Sequence, residues 1–439
     1  MRDFGLTAFM AVALTYAVRH TWIAVLLWTW LSIMNPHRLT WGFAYNLPFA
    51  AAAAIAAFIS ILLNKDKLHM PWSPPVVLLA IFVFWMCLTT VFAYYPGSSW
   101  DQLVKVLKIQ VMTMVAFAAL RERKHIELFL WVNAISIGFY GVKGGIFTIL
   151  SGGGARVWGP GGFIGGNNEI GLAIVITIPL LNYLRVVATR RWVRLGLLAS
   201  MVLCAAAALG TQSRGAFLAI IAMAFLLWIR SKNKFLPAVG LSLMAVALLA
   251  FMPASWEERM RTIQNYQEDG SAMGRITTWI TAFRIANNNF MGGGFDVYQP
   301  DIFARYSPAP DLVRAAHSIY FQVLGEHGWV GLTLFLLVFI LAYTMAGNIR
   351  KEAKKRPETQ WLLHLAGMCQ VSLVGFAVGG AFLSLAYFDL PYNIVVVLVV
   401  SLRWLQAKQW ETEKQGAFGS TEPHSEIREG VKKRVPRWS

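Results

Sequence analysis

The sequence predicts an all-α polytopic membrane protein with about 12 transmembrane helices. Hydrophobic residues make up 57% of the 439 positions, and they include 18 Trp and 28 Phe. The mean hydropathy of +0.53 lies far outside the range of soluble globular domains. Apolar runs long enough to cross a bilayer recur along the whole chain, whereas a β-barrel would show short segments of alternating polarity. The crossing segments are therefore expected to be helices.

The apolar segments predict about 12 or 13 crossings of the bilayer. They lie near residues 5–18, 21–34, 46–64, 75–94, 102–120, 126–150, 170–187, 192–210, 215–230, 235–252, 320–347, 362–386 and 391–405. The first two are short, so they form either two tilted spans or a helical hairpin that does not fully cross. The first segment lacks a basic n-region and a small-residue cleavage site, so no cleavable signal peptide is expected.

Basic residues on alternate connections predict the orientation of the helices. The net charge is +17, and its clusters lie at residues 65–67, 121–124, 190–194, 230–234, 350–356 and 432–434. By the positive-inside rule these connections are cytoplasmic and the others lie outside. The excess positive charge suits an anionic lipid leaflet, and this distribution indicates membrane lipids rather than nucleic acid as partners.

The chain divides into four predicted regions. Residues 1–253 and 317–405 form the transmembrane helices, and residues 254–316 form a small polar cap on the outer side. Residues 406–439 form a charged cytoplasmic tail that is expected to be disordered. In the cap, residues 271–288 have helical spacing of apolar side chains, which predicts an amphipathic helix near the membrane surface. The glycine-rich residues 291–295 that follow predict a flexible turn with special backbone angles or close approach.

Four basic residues from separate regions are predicted at the same outer face: Arg156, Arg214, Arg275 and His317. Cations close to hydrocarbon cost several kcal/mol unless an anion compensates them. A pyrophosphate is such an anion, because the planar guanidinium fork binds phosphate oxygens bidentately and stabilises a diphosphate leaving group. For Arg214 the alternative is an interfacial arginine that snorkels to lipid headgroups. For Arg156 and Arg275 it is a salt bridge to loop carboxylates.

His317 is the candidate catalytic residue, because an imidazole between a polar loop and an apolar helix accepts a proton near neutral pH. The alternative is a helix N-terminal motif in which Ser318 caps the next span. His327 is interpreted as a structural hydrogen-bonding residue deeper in the same helix. Glu326 and Asp389 are candidates for orienting a polar partner.

No metal or other cofactor is predicted. The outer loops carry no clustered carboxylates to hold a divalent metal. The sequence also lacks a Walker motif, so the energy of the reaction is expected to come from the donor bond.

Three cysteines in apolar spans are interpreted as small core residues: Cys87, Cys204 and Cys369. Three lysines in predicted spans either line a polar cavity or snorkel: Lys105, Lys108 and Lys143.

Five short motifs at the outer connections form one pattern: residues 211–215, 274–275, 292–295 with Tyr298, 317–320 and 326–328. Together they resemble the signature of the O-antigen ligase and O-antigen polymerase superfamily. Over nearly its full length, the chain is similar to the branch of O-glycosylation ligases associated with exosortase systems. That wider similarity includes residues 34–38, 139–145, 156–160 and 383–392.

The resemblance implies a metal-independent glycosyltransferase of the bacterial inner membrane, with a GT-C type helical bundle and a helical periplasmic cap. Such proteins transfer a glycan from undecaprenyl pyrophosphate to a hydroxyl, typically of lipid A core in lipopolysaccharide biosynthesis. His317 matches the family's essential histidine, and Arg214 and Arg275 match the arginines that engage pyrophosphate. Arg156 is a looser match. Many members carry Asn after the histidine, so Ser318 leaves the orientation of the imidazole ring open.

Several functions remain compatible with these residues. In the favoured one, His317 accepts the proton of an acceptor hydroxyl, which attacks the anomeric carbon with inversion in an active site that faces the periplasm. An O-antigen polymerase would use a lipid-linked glycan as the acceptor, and a protein O-oligosaccharyltransferase would use a protein. A transporter of lipid-linked sugars would also need arginines facing a diphosphate, but it predicts an internal repeat of broken helices and cations on both sides of the midplane.

Overall fold

The computed structural model describes residues 2–63, 68–230 and 270–411, and within these ranges the chain is helical without strands. Its α-helices are α1 (Arg2–Arg19), α2 (Thr21–Met34), α3 (Phe49–Leu63), α4 (Pro74–Val91), α5 (Pro96–Ala119), α6 (Arg123–Leu150), α7 (Asn167–Val187), α8 (Arg191–Gly210), α9 (Arg214–Arg230), α10 (Gly270–Asn288), α11 (Pro300–Tyr306), α12 (Ile319–Ala353), α13 (Gln360–Gly380) and α14 (Asp389–Gln406). The predicted span at 235–252 and the tail beyond 411 lie outside the described residues.

The all-helical membrane fold is confirmed. Among the described residues, seven segments are long and apolar enough to cross a membrane, and α2 and α3 are shorter apolar helices. The number of crossings and the division into four regions stay predictions. Local chemistry explains where several helices begin: α4, α5 and α11 each have proline at the first position, where the missing N–H removes no helical hydrogen bond.

Helix α14 is the most enclosed element of the bundle. All its residues from 389 to 401 are buried, and it packs against α2, α4, α5, α6, α12 and α13. A helix that is apolar on every side is expected in such a position. Its few polar side chains bond to other helices. Asn393 donates to the Asn133 side chain of α6 at 2.8 Å, and the Ser32 hydroxyl of α2 donates to Asp389 at 2.6 Å. These bonds fix the position of α14 against its neighbours.

Small residues allow α6 and α8 to pack closely. A Cβ atom on Gly145 would lie 2.2 Å from the Leu203 carbonyl oxygen, and one on Gly141 would lie 2.3 Å from the Cys204 sulfur. Close backbone approach at glycine is a typical helix contact in membrane proteins. Cys204 and Cys369 are buried and unbridged, as expected of core residues.

Helix α12 contains a break that the sequence did not predict. Gly328 has a φ of 67°, an angle that glycine tolerates and other residues rarely adopt. The carbonyls before the break accept hydrogen bonds from outside the helix: Gly325 from the Gly293 N–H, Glu326 from the Gly294 N–H, and His327 from the Trp85 indole. Irregular backbone at this depth is stable because protein groups satisfy it. The turn at 291–295 is therefore not a flexible connection but is hydrogen-bonded to the break in α12.

Helix α10 begins one residue before the predicted amphipathic helix. Its side toward the bundle carries buried threonines and small or apolar residues: Thr277, Thr278, Thr281, Ala282 and Ile285. Ile280 and Phe283 of the predicted apolar stripe are exposed instead. The helix is thus present, and part of its apolar stripe faces away from the protein.

The described connections gather at two ends of the bundle. At the basic end, Arg403 donates to the His69 carbonyl, and the Arg123 guanidinium lies over the Trp361 ring. At the other end the Tyr94 N–H donates to the Gly293 carbonyl. The orientation of the helices in the membrane stays a prediction, and the site described below lies at the second of these two ends.

Candidate active site

Arg214 is carried by a tight turn between α8 and α9. Gln212 has a left-handed φ of 53°, and the Ser213 hydroxyl accepts a hydrogen bond from the Ala216 N–H at 3.2 Å. A serine in this position satisfies a free N–H at the helix start. The turn therefore fixes Arg214 as the first residue of α9, with a half-buried side chain.

Arg156 contacts the same turn from the glycine-rich loop between α6 and α7. Its Nε donates to Gln212 Oε1 at 3.0 Å, and the Gln212 amide in turn donates to the Gly153 carbonyl at 3.3 Å. On the other side of the loop, Asn167 donates to the Thr211 carbonyl at 2.8 Å. Because an amide carries no charge, the bond to Gln212 orients the Arg156 guanidinium without neutralising it.

Arg275 lies on α10 close to His317. The positive charge of Arg275 interacts electrostatically with His317 and also with Glu169, which lies in the first turn of α7. Glu169 was missed in the sequence analysis. One sequence feature points to Glu169: it is the first carboxylate after the loop at 151–166, and that loop contains no carboxylate. Arg275 is thus placed where it acts on both a histidine and a carboxylate.

His317 immediately precedes α12 and has an unusual backbone. Its φ of 45° is in the left-handed region, which non-glycine residues seldom occupy except where surrounding structure imposes it. The His317 N–H donates to the Ser384 hydroxyl at 2.9 Å, in the turn between α13 and α14. Its buried Nδ1 makes no hydrogen bond to the described residues. The backbone is therefore held while a ring nitrogen is left available.

Electrostatics keeps the His317 imidazole neutral. Burial, followed by the positive charges of Arg275 and Arg314, holds the pKa of His317 below its ordinary value of 6.5. At neutral pH the ring is therefore uncharged and can accept a proton. Arg314 contributes to this effect although its side chain is exposed.

The helix-cap alternative for Ser318 is wrong. Ser318 occupies the N-cap position of α12, but its side chain makes no capping hydrogen bond. Its buried hydroxyl has no partner among the described residues. By contrast, the structural interpretation of His327 is confirmed, since its Nδ1 lies 2.7 Å from the Thr89 hydroxyl in a fully buried position.

The four predicted site residues fall into two groups. Arg156 joins the turn that carries Arg214, and Arg275 acts on His317. The turn at 381–388 contacts both groups: a Cβ atom on Gly215 would lie 3.2 Å from Phe382 Cβ, and Ser384 binds the His317 backbone.

A polar cavity of about 480 Å³ lies next to Ala316 and Ser384, the neighbour and the backbone partner of His317, which does not itself line it. Its lining includes Ala316, Ser384 and the following polar side chains: Asp101, Lys105, Asp296, Gln322 and Glu326. Lys105 thus lines a polar cavity, one of its two predicted roles; with Lys108 it also borders an apolar groove of about 720 Å³. Within the described residues, no three His, Cys, Asp or Glu side chains are grouped as metal ligands.

Comparison with known proteins agrees with these motifs. Residues 199–336 match a family model described as O-antigen ligase, and residues 1–189 match one described as a family of unknown function. No curated protein matches the chain. The first match includes the turn at 211–215, Arg275, His317 and the break in α12. Residues 199–336 therefore match the O-antigen ligase family, and this match supports the resemblance of the chain to the O-antigen ligase and O-antigen polymerase superfamily.

Proposed function

We propose that the protein is an O-antigen ligase of the bacterial inner membrane, with its active site facing the periplasm. It moves a glycan from undecaprenyl pyrophosphate to a hydroxyl of lipid A core in lipopolysaccharide biosynthesis. The observation that carries the proposal is His317: its pKa is lowered, its Nδ1 has no hydrogen-bond partner in the described part of the chain, and Arg275 acts on it. The match to the O-antigen ligase family supports the reaction type.

The arginines have a separate role from the histidine. Arg214, Arg275 and Arg156 hold the pyrophosphate of the donor, because guanidinium groups stay charged and bind phosphate oxygens in pairs. They also stabilise the negative charge that develops as the bond between sugar and pyrophosphate breaks. The amide contact of Arg156 supports this role, since Gln212 orients its side chain and leaves its charge for an anion.

The chemical step is one displacement with inversion. His317 accepts the proton of the acceptor hydroxyl while the hydroxyl oxygen forms a bond to the anomeric carbon. The bond from that carbon to the pyrophosphate oxygen breaks, and undecaprenyl pyrophosphate leaves with the electron pair. A positioned base of this kind contributes roughly 100 to 10,000-fold to the rate. The donor bond supplies the energy of the transfer.

Glycan transfer by the purified protein tests the proposal. The native chain and His317→Ala are compared with an undecaprenyl-pyrophosphate donor and separate lipid A core and lipid-linked acceptors. His364→Ala is the matched control, because His364 is exposed on α13 and lies outside the site. Histidine-dependent product on lipid A core supports the ligase. Elongation of the lipid-linked glycan indicates a polymerase, and product only on an added protein acceptor indicates a protein O-oligosaccharyltransferase.

Single-cysteine labelling separates the enzyme from a transporter. Cysteines are placed at positions 156, 214, 275 and 317 and treated with a membrane-impermeant reagent from either side. The enzyme is expected to react only from the periplasmic side, with and without donor. Exposure that alternates between the two sides would instead support transport of lipid-linked sugars.

A further inference from the structure

The polar cavity lined by Ala316 and Ser384 differs in charge from the arginine groups. Three carboxyl groups line it against one lysine: Asp101, Asp296 and Glu326, with Lys105. Arg156, Arg214 and Arg275 are not among the lining residues. The carboxylates of Asp101 and Asp296 would repel a diphosphate in this cavity, so the arginine groups are the more favourable place for the pyrophosphate.

Glu326 is held in the cavity by its neighbours. The carboxyl group is 5% exposed, and the Tyr387 hydroxyl donates to its Oε2 at 2.5 Å. One turn earlier on α12, Gln322 Oε1 accepts from the Ala386 N–H at 3.3 Å. Both polar groups are therefore fixed by the turn at 381–388, which also binds His317 through Ser384.

The size and chemistry of the cavity suit a carbohydrate. Its volume of about 480 Å³ lies within the range of roughly 300–1,000 Å³ that is usual for small-ligand sites. Carboxyl oxygens accept hydrogen bonds from sugar hydroxyls and from ammonium groups, whereas they repel phosphate. Ala316 and Ser384 in the wall are respectively the residue before His317 and the partner of its N–H. A sugar in the cavity would therefore lie next to the chain segment that carries the proposed base, although His317 itself does not line the cavity.

We propose that this cavity is the acceptor subsite and that it selects an uncharged or amino-bearing sugar over a phosphorylated one. This inference rests on the proposed function. Glu326 and Asp296 bind hydroxyl or ammonium groups of the acceptor, and the carboxylates of Asp101 and Asp296 disfavour a phosphate substituent.

The test compares two acceptors that differ in one phosphate group, a neutral glycolipid and its phosphorylated form. The native protein is expected to use the neutral acceptor at least about tenfold more efficiently, in kcat/KM, because like charges in a confined site are strongly unfavourable. Asp296→Asn and the double variant with Asp101→Asn are expected to shrink this ratio through a lower KM for the phosphorylated acceptor. Asparagine suits the left-handed φ of 59° at position 296.

Controls distinguish this inference from the proposed function. Asp311→Asn removes an exposed carboxylate that does not line the cavity, and its acceptor ratio should equal that of the native protein. For Glu326→Gln, only the ratio of the kcat/KM values for the two acceptors is interpreted, because a substitution at this buried residue also affects folding. Equal use of both acceptors by the native protein, or a ratio that the aspartate variants leave unchanged, overturns the inference while the transferase stands. Absence of transfer to every acceptor, with folded protein, overturns the proposed function and the inference with it.

Discussion

His317 combines two features that suit the proposed proton transfer, a constrained backbone and a neutral imidazole. Its left-handed φ costs on the order of 1–3 kcal/mol and is sustained by the hydrogen bond to Ser384. Its lowered pKa keeps the imidazole unprotonated at neutral pH. Both properties depend on the surroundings: a hydroxyl from a distant turn holds the backbone, and burial followed by two arginines lowers the pKa.

Transfer is expected to lose activity on the acid side, below pH 6.5. The pKa of His317 in the folded protein is lower than its ordinary value of 6.5, so the neutral base persists at and somewhat below that pH. Activity should fall as the pH drops through the folded pKa and the ring becomes protonated. Arg314→Gln removes one of the charges that lower the pKa, so its acid limb should move to higher pH. An acid limb above pH 6.5 in the native protein would contradict the neutral-histidine role.

Ser384→Ala is expected to lower kcat by about tenfold and leave the KM for the donor nearly unchanged. Ser384 is proposed as a positioning residue, because its hydroxyl accepts the His317 N–H at 2.9 Å. Loss of this bond frees the strained backbone that aims the ring. Single-turnover kinetics measures the effect, and Ser384→Thr should restore most of the rate because it retains the hydroxyl. Equal losses in both variants would argue against the positioning role.

At the scale of elements, the break in α12 and the turn at 291–295 form one unit. The turn supplies N–H groups to the carbonyls that the break leaves without helical partners. The unit places Glu326 in the cavity wall, whereas His327 is buried against Thr89. An unbroken helix would keep those carbonyls within its own ladder and leave the glycine turn without a hydrogen-bonding partner.

Gly294→Ala is expected to destabilise the protein by about 1–3 kcal/mol, because a non-glycine residue is strained at positive φ. Gly294 has a φ of 78°, and a Cβ atom there would lie 2.2 Å from Ala93 Cβ. Thermal unfolding in detergent measures the loss. Gly97→Ala is the matched control, since a Cβ atom at Gly97 has nothing within 4 Å. Similar melting temperatures for both variants would show that the turn does not support the break.

At the scale of the whole molecule, α14 connects the helices that carry the site. It is buried along most of its length and contacts α12 and α13 as well as α5 and α6. Its polar side chains form hydrogen bonds with α2 and α6. The helices that surround the cavity are therefore positioned by their packing against the same helix, α14. This arrangement explains why a turn at the start of α14 can position residues from several regions.

Asn133→Ala is expected to destabilise the bundle by about 1–2 kcal/mol, the usual range for a hydrogen bond between transmembrane helices. The change leaves the Asn393 amide buried without its 2.8 Å partner. Chemical unfolding in mixed micelles measures the cost. Ser200→Ala is a control, since Ser200 is part-buried and its hydroxyl bonds only within its own helix. A double variant that also carries Asn393→Ala should cost less than the sum of the single changes, and strict additivity would show that the bond contributes nothing.

The sequence by itself determined the helical fold and the resemblance to a family. Many helix limits were predictable to within about four residues, as for α2 (Thr21–Met34) and α10 (Gly270–Asn288), because they follow from apolar length, proline and glycine, which are local properties. Three predicted limits were wrong by six residues: α5 begins earlier, α12 ends later and α13 ends earlier than predicted. The motif at 211–215 and the match at 199–336 are likewise readable along the chain. The alternation of basic connections predicts an orientation for the helices in the membrane.

Only the tertiary structure decided what those residues touch. The bond from His317 to Ser384 joins positions 67 residues apart; Arg156 meets Gln212 across 56 residues. The action of Arg275 on Glu169, the break at Gly328 and the carboxyl-lined cavity also depend on such distant pairs. Hydropathy and periodicity describe one helix at a time. A pKa, a satisfied carbonyl or a cavity depends on how the helices pack, so these features of the site became visible only in the folded chain.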